Sequence, residues 1–487
     1  MTSVVRWQWL WFVVACMAAC SAAYAGELRA GFATVDITPP LNREMAGFGP
    51  YLERKATTIH DPLMAHAVVL ETGGQRIAIV GCDVLAVSRD FTEKVRFEAE
   101  AGTGIPGPHI MVSATHTHSG PAIPRLIGWG EQDKEYLSKL PGMVAGAIVE
   151  ASKHLQSVEL YYGEVPVEGI GQNREYPGGP IDKTLRVLKF MHGDKLVGFI
   201  VHHSVHNVIF SEQMHAYTSE LTGVAIAKVV KEHPGSVGIY LQGSCGDINP
   251  ARFENNFPPD QCVQLLEQLS DHFADYVREA LKNASKKRVD RIEMDTREIS
   301  LPLVPTDRAL ILRQMQLADQ LLGSSTQGTA FFPTGSKGEP PLPPTAERWV
   351  RFTRDTSRAV YERFNRLPLT EKQTEIQALR VQDVLILADP GEVFISLADQ
   401  VSQMLPGWKV WVTGYSNDYV GYIPTPDRYA LVSKEKFNYP AYFVPLILGD
   451  FRLSDDIGDV LVRNLVRLGE SVVQTDNSKS EPNSPAR

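Results

Sequence analysis

The stretch His109-Ile110-Met111-Val112-Ser113-Ala114-Thr115-His116-Thr117-His118-Ser119-Gly120-Pro121 passes from apolar to polar within a few residues. Ile110, Met111 and Val112 predict a short buried strand, and the Ser, Thr, His and Gly that follow have the composition of a loop at a strand's end. His116 and His118 stand two apart, so an extended chain points both imidazoles to the same side. Two imidazoles at the mouth of a sheet suit a metal ion, or a metal with a polar partner for substrate.

Outward from this strand, β-runs and helical patterns alternate. Arg76 to Cys82 predicts a strand and Arg89 to Ala101 a helix, and an Ala/Val-rich helix is expected around Glu135 to His154. Leu185 to Phe190 and Leu196 to His202 predict a pair of strands. In Ser219 to His233, Leu221, Val224, Ile226, Val229 and Val230 lie opposite charges, the pattern of an amphipathic helix. Val237 to Gln242 predicts another strand and Pro258 to Lys282 a long helix. The mixture implies an α/β (mixed α+β) fold with β-sheets flanked by helices. A single large catalytic domain is expected over residues 26–473. The Gly-, Ser- and Pro-rich segment from Gly323 to Pro344 predicts a loop or lid, and Gln474 to Arg487 a disordered tail.

The chain has 487 residues, 43% of them hydrophobic and 22% charged, a composition that can bury a sizeable core. A net charge of -9, with no basic stripe, excludes a nucleic-acid surface. Arg6, the apolar run Trp9 to Ala19 and the small residues Ala23-Tyr24-Ala25 predict a signal peptide over residues 1–25, hence an exported protein. A lipoprotein anchor at Cys20 is the lesser alternative. Cys82, Cys245 and Cys262 remain after the leader; with no clustered spacing they form neither a disulfide scaffold nor a cysteine metal site.

Three further stretches carry chemistry. Val201-His202-His203-Ser204-Val205-His206-Asn207 closes an apolar strand, and spacing alone does not choose among its histidines. It is not HExxH, so the zincin reading fails. Val384 to Glu392 predicts a buried strand running into Asp-Pro-Gly and then a helix over Val393 to Met404, with Glu392 at the helix start. Trp411 to Pro424 is dense in Tyr and Gly, whose hydroxyls can line a pocket or bind a metal.

With these stretches in hand, Thr115-His-Thr-His-Ser-Gly-Pro121, Gly246-Asp-Ile-Asn-Pro250, Pro390-Gly-Glu392 and Ser416-Asn-Asp-Tyr-Val-Gly-Tyr422 resemble the successive motifs of the neutral (non-lysosomal) ceramidase family. Val35-Asp-Ile-Thr-Pro39, followed by Gly47 and Gly49, resembles the start of that family's catalytic domain. The resemblance implies a Zn²⁺-dependent hydrolase of the amide bond of N-acyl sphingosines, acting on a small-molecule or lipid amide and touching membrane peripherally, with no obligate protein partner. It implies His116, His202, Glu392 and Tyr422 as metal ligands, with Tyr419 the fallback for Tyr422; His202 is chosen because Phe199-Ile-Val-His202 matches the family's Phe-x-x-His pattern. His118, Arg174 and Asn249 are implied as catalytic, and Gly47, Tyr419 and Asp247 as substrate-side residues. Family members carry Gly-Asp-x-Ser-Pro-Asn, whereas here Asn249 replaces the serine and Ala251 the final asparagine; Tyr439 or Tyr442 would stand for a further pocket tyrosine.

Overall fold

Each of three hairpins is closed by a two-residue turn whose first residue, Gly73, Gly193 or Gln382, takes a φ of 57°. Such turns match the right-handed twist of the strands they join. The strand Met64–Thr72 folds back on Gln75–Cys82, Thr184–His192 on Lys195–His203, and Glu371–Val381 on Val384–Ala388. A helix follows each hairpin: Arg89–Thr103, Glu220–Glu232 and Ile395–Met404. A third strand then returns parallel to the second, namely Ile110–Ala114, Val237–Gln242 and Lys409–Thr413. The same hairpin–helix–strand unit therefore occurs three times. The computed structural model describes residues 27–325, 344–430 and 438–474. The expected leader and polar tail, and nearly all of the Gly323 to Pro344 segment, lie outside the described residues.

Each unit grows into a five-stranded sheet through a strand that pairs antiparallel with its hairpin: Arg29–Asp36, Glu159–Pro166 and Ile292–Val304. Strand alternation then sorts the side chains. Leu70, Ile77 and Met111 of the first sheet, Phe190, Ile200 and Leu241 of the second, and Leu379, Ile386 and Trp411 of the third join one buried cluster. The three inner faces thus share a core, where each large apolar side chain contributes roughly 1.5–3 kcal/mol by leaving water. The outer faces are covered by helices Lys134–Lys153, Pro259–Asn283 and Ile457–Gln474. Two of these helices approach so closely that a Cβ on Gly31 would meet Ala151 O at 2.1 Å, and one on Gly163 would meet Ala280 O at 2.2 Å. The fold is mixed α/β, with sheets flanked by helices.

The strand positions follow the sequence expectation, with one difference at the third unit. Glu392 does not open a helix: Glu392–Val393 pairs in parallel with Tyr422–Ile423, and the helix begins at Ile395. The Glu392 amide donates to Gly421 O at 2.9 Å, which draws the backbone into a two-residue ladder. That pairing sets Glu392 beside Tyr422. The parallel strand pairs of the three units end close together, where isolated bridges Ser113↔Ser416 and Gly243↔Thr413 tie the sheets to one another. Ligand sites in α/β sheets form beyond the carboxyl ends of such strands.

Candidate metal centre

The loops that leave two of the three strand pairs bring three imidazoles together, and the third supplies a carboxylate. His116 does not continue the strand but turns left-handed, with φ of 65°, and its Nδ1–H donates to Leu85 O at 2.7 Å. Its ring still meets that of His118, with centroids 4.8 Å apart and planes at 88°. His118 donates from Nδ1 to Gly47 O at 2.9 Å. His206, from the second unit, donates from Nδ1 to Cys245 O at 2.9 Å. Assigning the tautomers from these bonds leaves a lone pair on every Nε2.

Those lone pairs converge. His116 Nε2 lies 3.0 Å from His206 Nε2 and 3.2 Å from His118 Nε2. In these tautomers no proton lies between them, so the arrangement suits a cation. Two nitrogens each about 2.0–2.1 Å from one tetrahedral ion stand roughly 3.3 Å apart, and the observed spacings fit that geometry. Metal-bound histidines commonly donate their other ring N–H to a carbonyl, as all three do here. Burial holds the three imidazoles below their usual pKa, His118 and His206 well below it, so they stay neutral and able to ligate. The residues His116, His118 and His206 can hold a metal ion.

A carboxylate completes the donor set. Glu392 Oε2 lies 3.5 Å from both His116 Nε2 and His206 Nε2. Tyr415 donates to Oε2 at 3.2 Å, and Tyr419 makes a short hydrogen bond to Oε1. These bonds fix the carboxylate's orientation. Beside it, Arg174 Nη2 reaches Tyr422 OH at 2.6 Å and Gly246 O at 2.7 Å, while Nη1 reaches Asn249 Oδ1 at 3.1 Å. Neutral imidazoles with one carboxylate, rimmed by a guanidinium, form a donor set that suits a divalent metal ion.

The chain is similar to known ceramidases. Residues 28–262 match the family model described as neutral/alkaline non-lysosomal ceramidase, N-terminal. The chain is 26% identical to a neutral ceramidase of Pseudomonas aeruginosa over 460 residues, covering 82% of this chain and 67% of that protein. A neutral ceramidase of Mycobacterium tuberculosis is 20% identical over 442 residues, covering 79% and 69%. In sequence, then, the chain is similar to the neutral/alkaline ceramidases. In fold it is similar to the crystal structure of the Pseudomonas aeruginosa neutral ceramidase, with TM-score 0.67 and 19% identity, covering 92% of this chain and 75% of that one. A structure titled as ceramidase complexed with C2 gives the same TM-score and identity, covering 95% and 77%.

The sequence-derived residues fall in two groups. His116, His118, Glu392, Tyr419, Tyr422, Arg174 and Asn249 gather at the centre, and Gly47 abuts it, since a Cβ there would lie 2.8 Å from His118 Cβ. Asp247 holds the surrounding loop: Oδ1 accepts from the Ile395 amide and Oδ2 from Asn173 Nδ2, both at 2.9 Å. His202 is the correction. Strand alternation turns it inward, where it stacks on Trp411 with centroids 5.2 Å apart and donates from Nε2 to Val412 O at 3.0 Å. His203 faces the opposite way, 3.2 Å from Thr184 O. The chain leaves the strand after His203, and the His206 amide docks on Ile248 O, so His206 takes the place expected for His202.

Three contributors were missed in the sequence. Tyr415 lies in the tyrosine-dense stretch and is marked by that density. Phe48 packs edge-on to His118 at 5.6 Å. Arg54 is buried, bonds to His118 O and Ala46 O, and burial lowers its pKa to about 10. Neither Phe48 nor Arg54 carries a sequence signal. Of the pocket tyrosines, Tyr439 stands 5.8 Å from Tyr422, whereas Tyr442 bonds away to Tyr429 O at 2.8 Å.

Proposed function

We propose that the protein is an exported zinc-dependent amidohydrolase that cleaves the N-acyl bond of a ceramide-like lipid. The observation that carries the reading is the convergence of His116 Nε2, His206 Nε2 and Glu392 Oε2 within 3.5 Å of one another, with both imidazoles anchored through Nδ1 to backbone carbonyls and the His118 Nε2 lone pair left beside them. Of the three rings, His116 and His206 are fully buried and share Glu392 Oε2, so these three residues form the inner ligand set. His118 is the partly exposed ring at the mouth. A zinc ion bound there supplies Lewis acidity and a water whose pKa is brought to about 7.

The chain's own groups divide the remaining work. With Nδ1–H committed to Gly47, neutral His118 presents Nε2 as a proton acceptor for the attacking water. Water oxygen bonds to the acyl carbon and the C–N bond breaks. The proton held on His118 Nε2 passes to the departing nitrogen, giving a free amine and a carboxylic acid. In this tautomer His118 donates from Nε2 only once protonated. Arg174, held by Gly246 and Tyr422, supplies fixed positive charge for the developing oxyanion. Asp247 positions Asn173 and Arg174 through its side chain and its carbonyl. Asn249 occupies one Arg174 nitrogen where family members carry serine, which favours a second reading: the same chemistry on a different N-acyl or ester substrate.

Metal analysis with turnover on a panel of N-acyl lipids and short-chain amides tests the proposal. His116→Ala is expected to lose both bound zinc and hydrolysis, and His118→Ala to keep zinc and lose turnover. Full zinc retention by His116→Ala would reject the ligand assignment.

A further inference from the structure

Two buried charges grip the loop that carries His118 without taking part in the donor set. Arg54 is 3% exposed and Glu220 fully buried. Arg54 Nη2 donates to His118 O and, at 2.7 Å, to Ala46 O, while Nη1 reaches Ser211 O at 3.3 Å. Glu220 does the same one residue on. Its Oε1 accepts from Ser119 Oγ at 2.7 Å, and Oε2 accepts from the Ile209 and Phe210 amides at 2.7 and 3.1 Å. Both charges therefore join the same two segments, the His118–Ser119 peptide and residues 209–211, which closely follow His206.

Neutral side chains could make such bonds at lower cost, since each buried ion forfeits its hydration. The groups around Glu220 all donate to it, as a carboxylate requires. Burial raises the Glu220 pKa to about 7 and lowers that of Arg54, and each charge opposes the shift of the other. The backbone is strained at the same place. Glu220 opens the helix Glu220–Glu232 with φ of 59°, a left-handed conformation unfavourable to a residue with a side chain. Strain of this kind persists where surrounding bonds over-determine it, and it gathers at functional sites. Here the Glu220 amide donates to Thr218 Oγ1 at 3.0 Å, and Thr218 O accepts from Thr117 Oγ1 at 2.7 Å, so the strained turn is tied back to the His118 loop.

We propose that Arg54 and Glu220 are positioning residues, a brace of opposite charges that locks the peptide carrying His118 to the segment following His206. The inference rests on the amidohydrolase reading for its effect on rate, while hydrogen exchange reads the brace itself. Ser119→Ala, Arg54→Met and Arg54→Lys are measured for metal content, for kcat and KM on a soluble short-chain N-acyl amide, and for deuterium exchange of residues 115–121. Ser119→Ala removes one bond and leaves both charges in place, so the test does not depend on the folding of Arg54→Met. It is expected to keep its metal, to exchange faster over 115–121, and to lose at least about tenfold in kcat with KM within about twofold. Arg54→Met is expected to lose about 10²-fold in kcat, and Arg54→Lys, which keeps the charge and a donor, to recover about tenfold of that. Tyr136→Phe, which removes a buried bond to Ile37 O elsewhere, is expected to lower Tm and leave kcat unchanged. A kcat for Ser119→Ala within about threefold of wild type, or an equal loss of kcat in Tyr136→Phe, overturns the inference. Absence of hydrolysis by the wild type instead overturns the amidohydrolase reading; faster exchange in Ser119→Ala then still supports the brace, and unchanged exchange overturns it.

Discussion

Replacing Gly47 by alanine tests whether His118 acts from a fixed position. Gly47 has φ of 105°, a region alanine avoids, and forcing an L-residue to positive φ costs at least about 1–2 kcal/mol. The added Cβ would lie 2.8 Å from His118 Cβ and 2.9 Å from its Cα. Carbon atoms in contact prefer about 3.5–4.0 Å, so ring and loop must part by roughly 1 Å. The 2.9 Å bond from His118 Nδ1 to Gly47 O stretches with them, releasing the tautomer that leaves Nε2 free. A misplacement of about 1 Å can cost about 10²-fold in rate, near 2.7 kcal/mol of barrier. His116, His206 and Glu392 are not touched, so bound metal should stay at the wild-type level. The assay is metal content by mass spectrometry beside kcat and KM on a soluble short-chain amide. A kcat within threefold of wild type, with metal retained, would refute the positional argument.

Other outcomes follow from the same geometry. His206→Ala should lower metal affinity by more than the 10- to 100-fold that loss of an outer hydrogen-bond partner typically costs, whereas His202→Ala should keep the metal; equal retention by both would contradict the placement of His206. Arg174→Lys should reduce kcat/KM by about 10²-fold, because a lysine cannot span Gly246, Tyr422 and Asn249 together; titration of bound metal separates this from ligand loss. Burial lowers the His202 pKa from 6.5 to about 3, so the unfolded chain takes up a proton below pH 6.5 that the folded one refuses. Its stabilising contribution is therefore complete above pH 6.5 and lost as pH falls toward 3, amounting to about 2 kcal/mol by pH 5. His202→Phe, which keeps the stack on Trp411, should show a smaller drop in Tm between pH 7.5 and pH 5; an identical drop would exclude His202 as a source of acid sensitivity.

Much of the architecture was legible because its signals are local. Apolar runs such as Ile110–Val112 and Val384–Leu387 mark strands that are buried on both faces, and Ser88 and Asp133 cap the helices before and after the first of them. His116, His118 and Glu392 could be picked out because each ends such a run. The choice of His202 over His206 failed for a non-local reason. Position 202 still belongs to a strand, whose alternation commits the ring to Trp411, and the path of 204–207 depends on a hydrogen bond from the His206 amide to Ile248 O, forty-two residues away. The helix start at Glu392 failed similarly, since its partner strand Tyr422–Ile423 comes later in the chain. Nor does local pattern reveal the threefold unit, because its sameness lies in pairing and not in composition.

His116, His206 and Glu392 each come from a different one of the three hairpin–helix–strand units. An ion held among them behaves as a keystone: it has no binding site in any unit alone and dissociates when a single unit opens. Metal occupancy is then linked to cooperative assembly, with free metal raising global stability by RT ln(1 + [M]/Kd) and chelation loosening all three units at once.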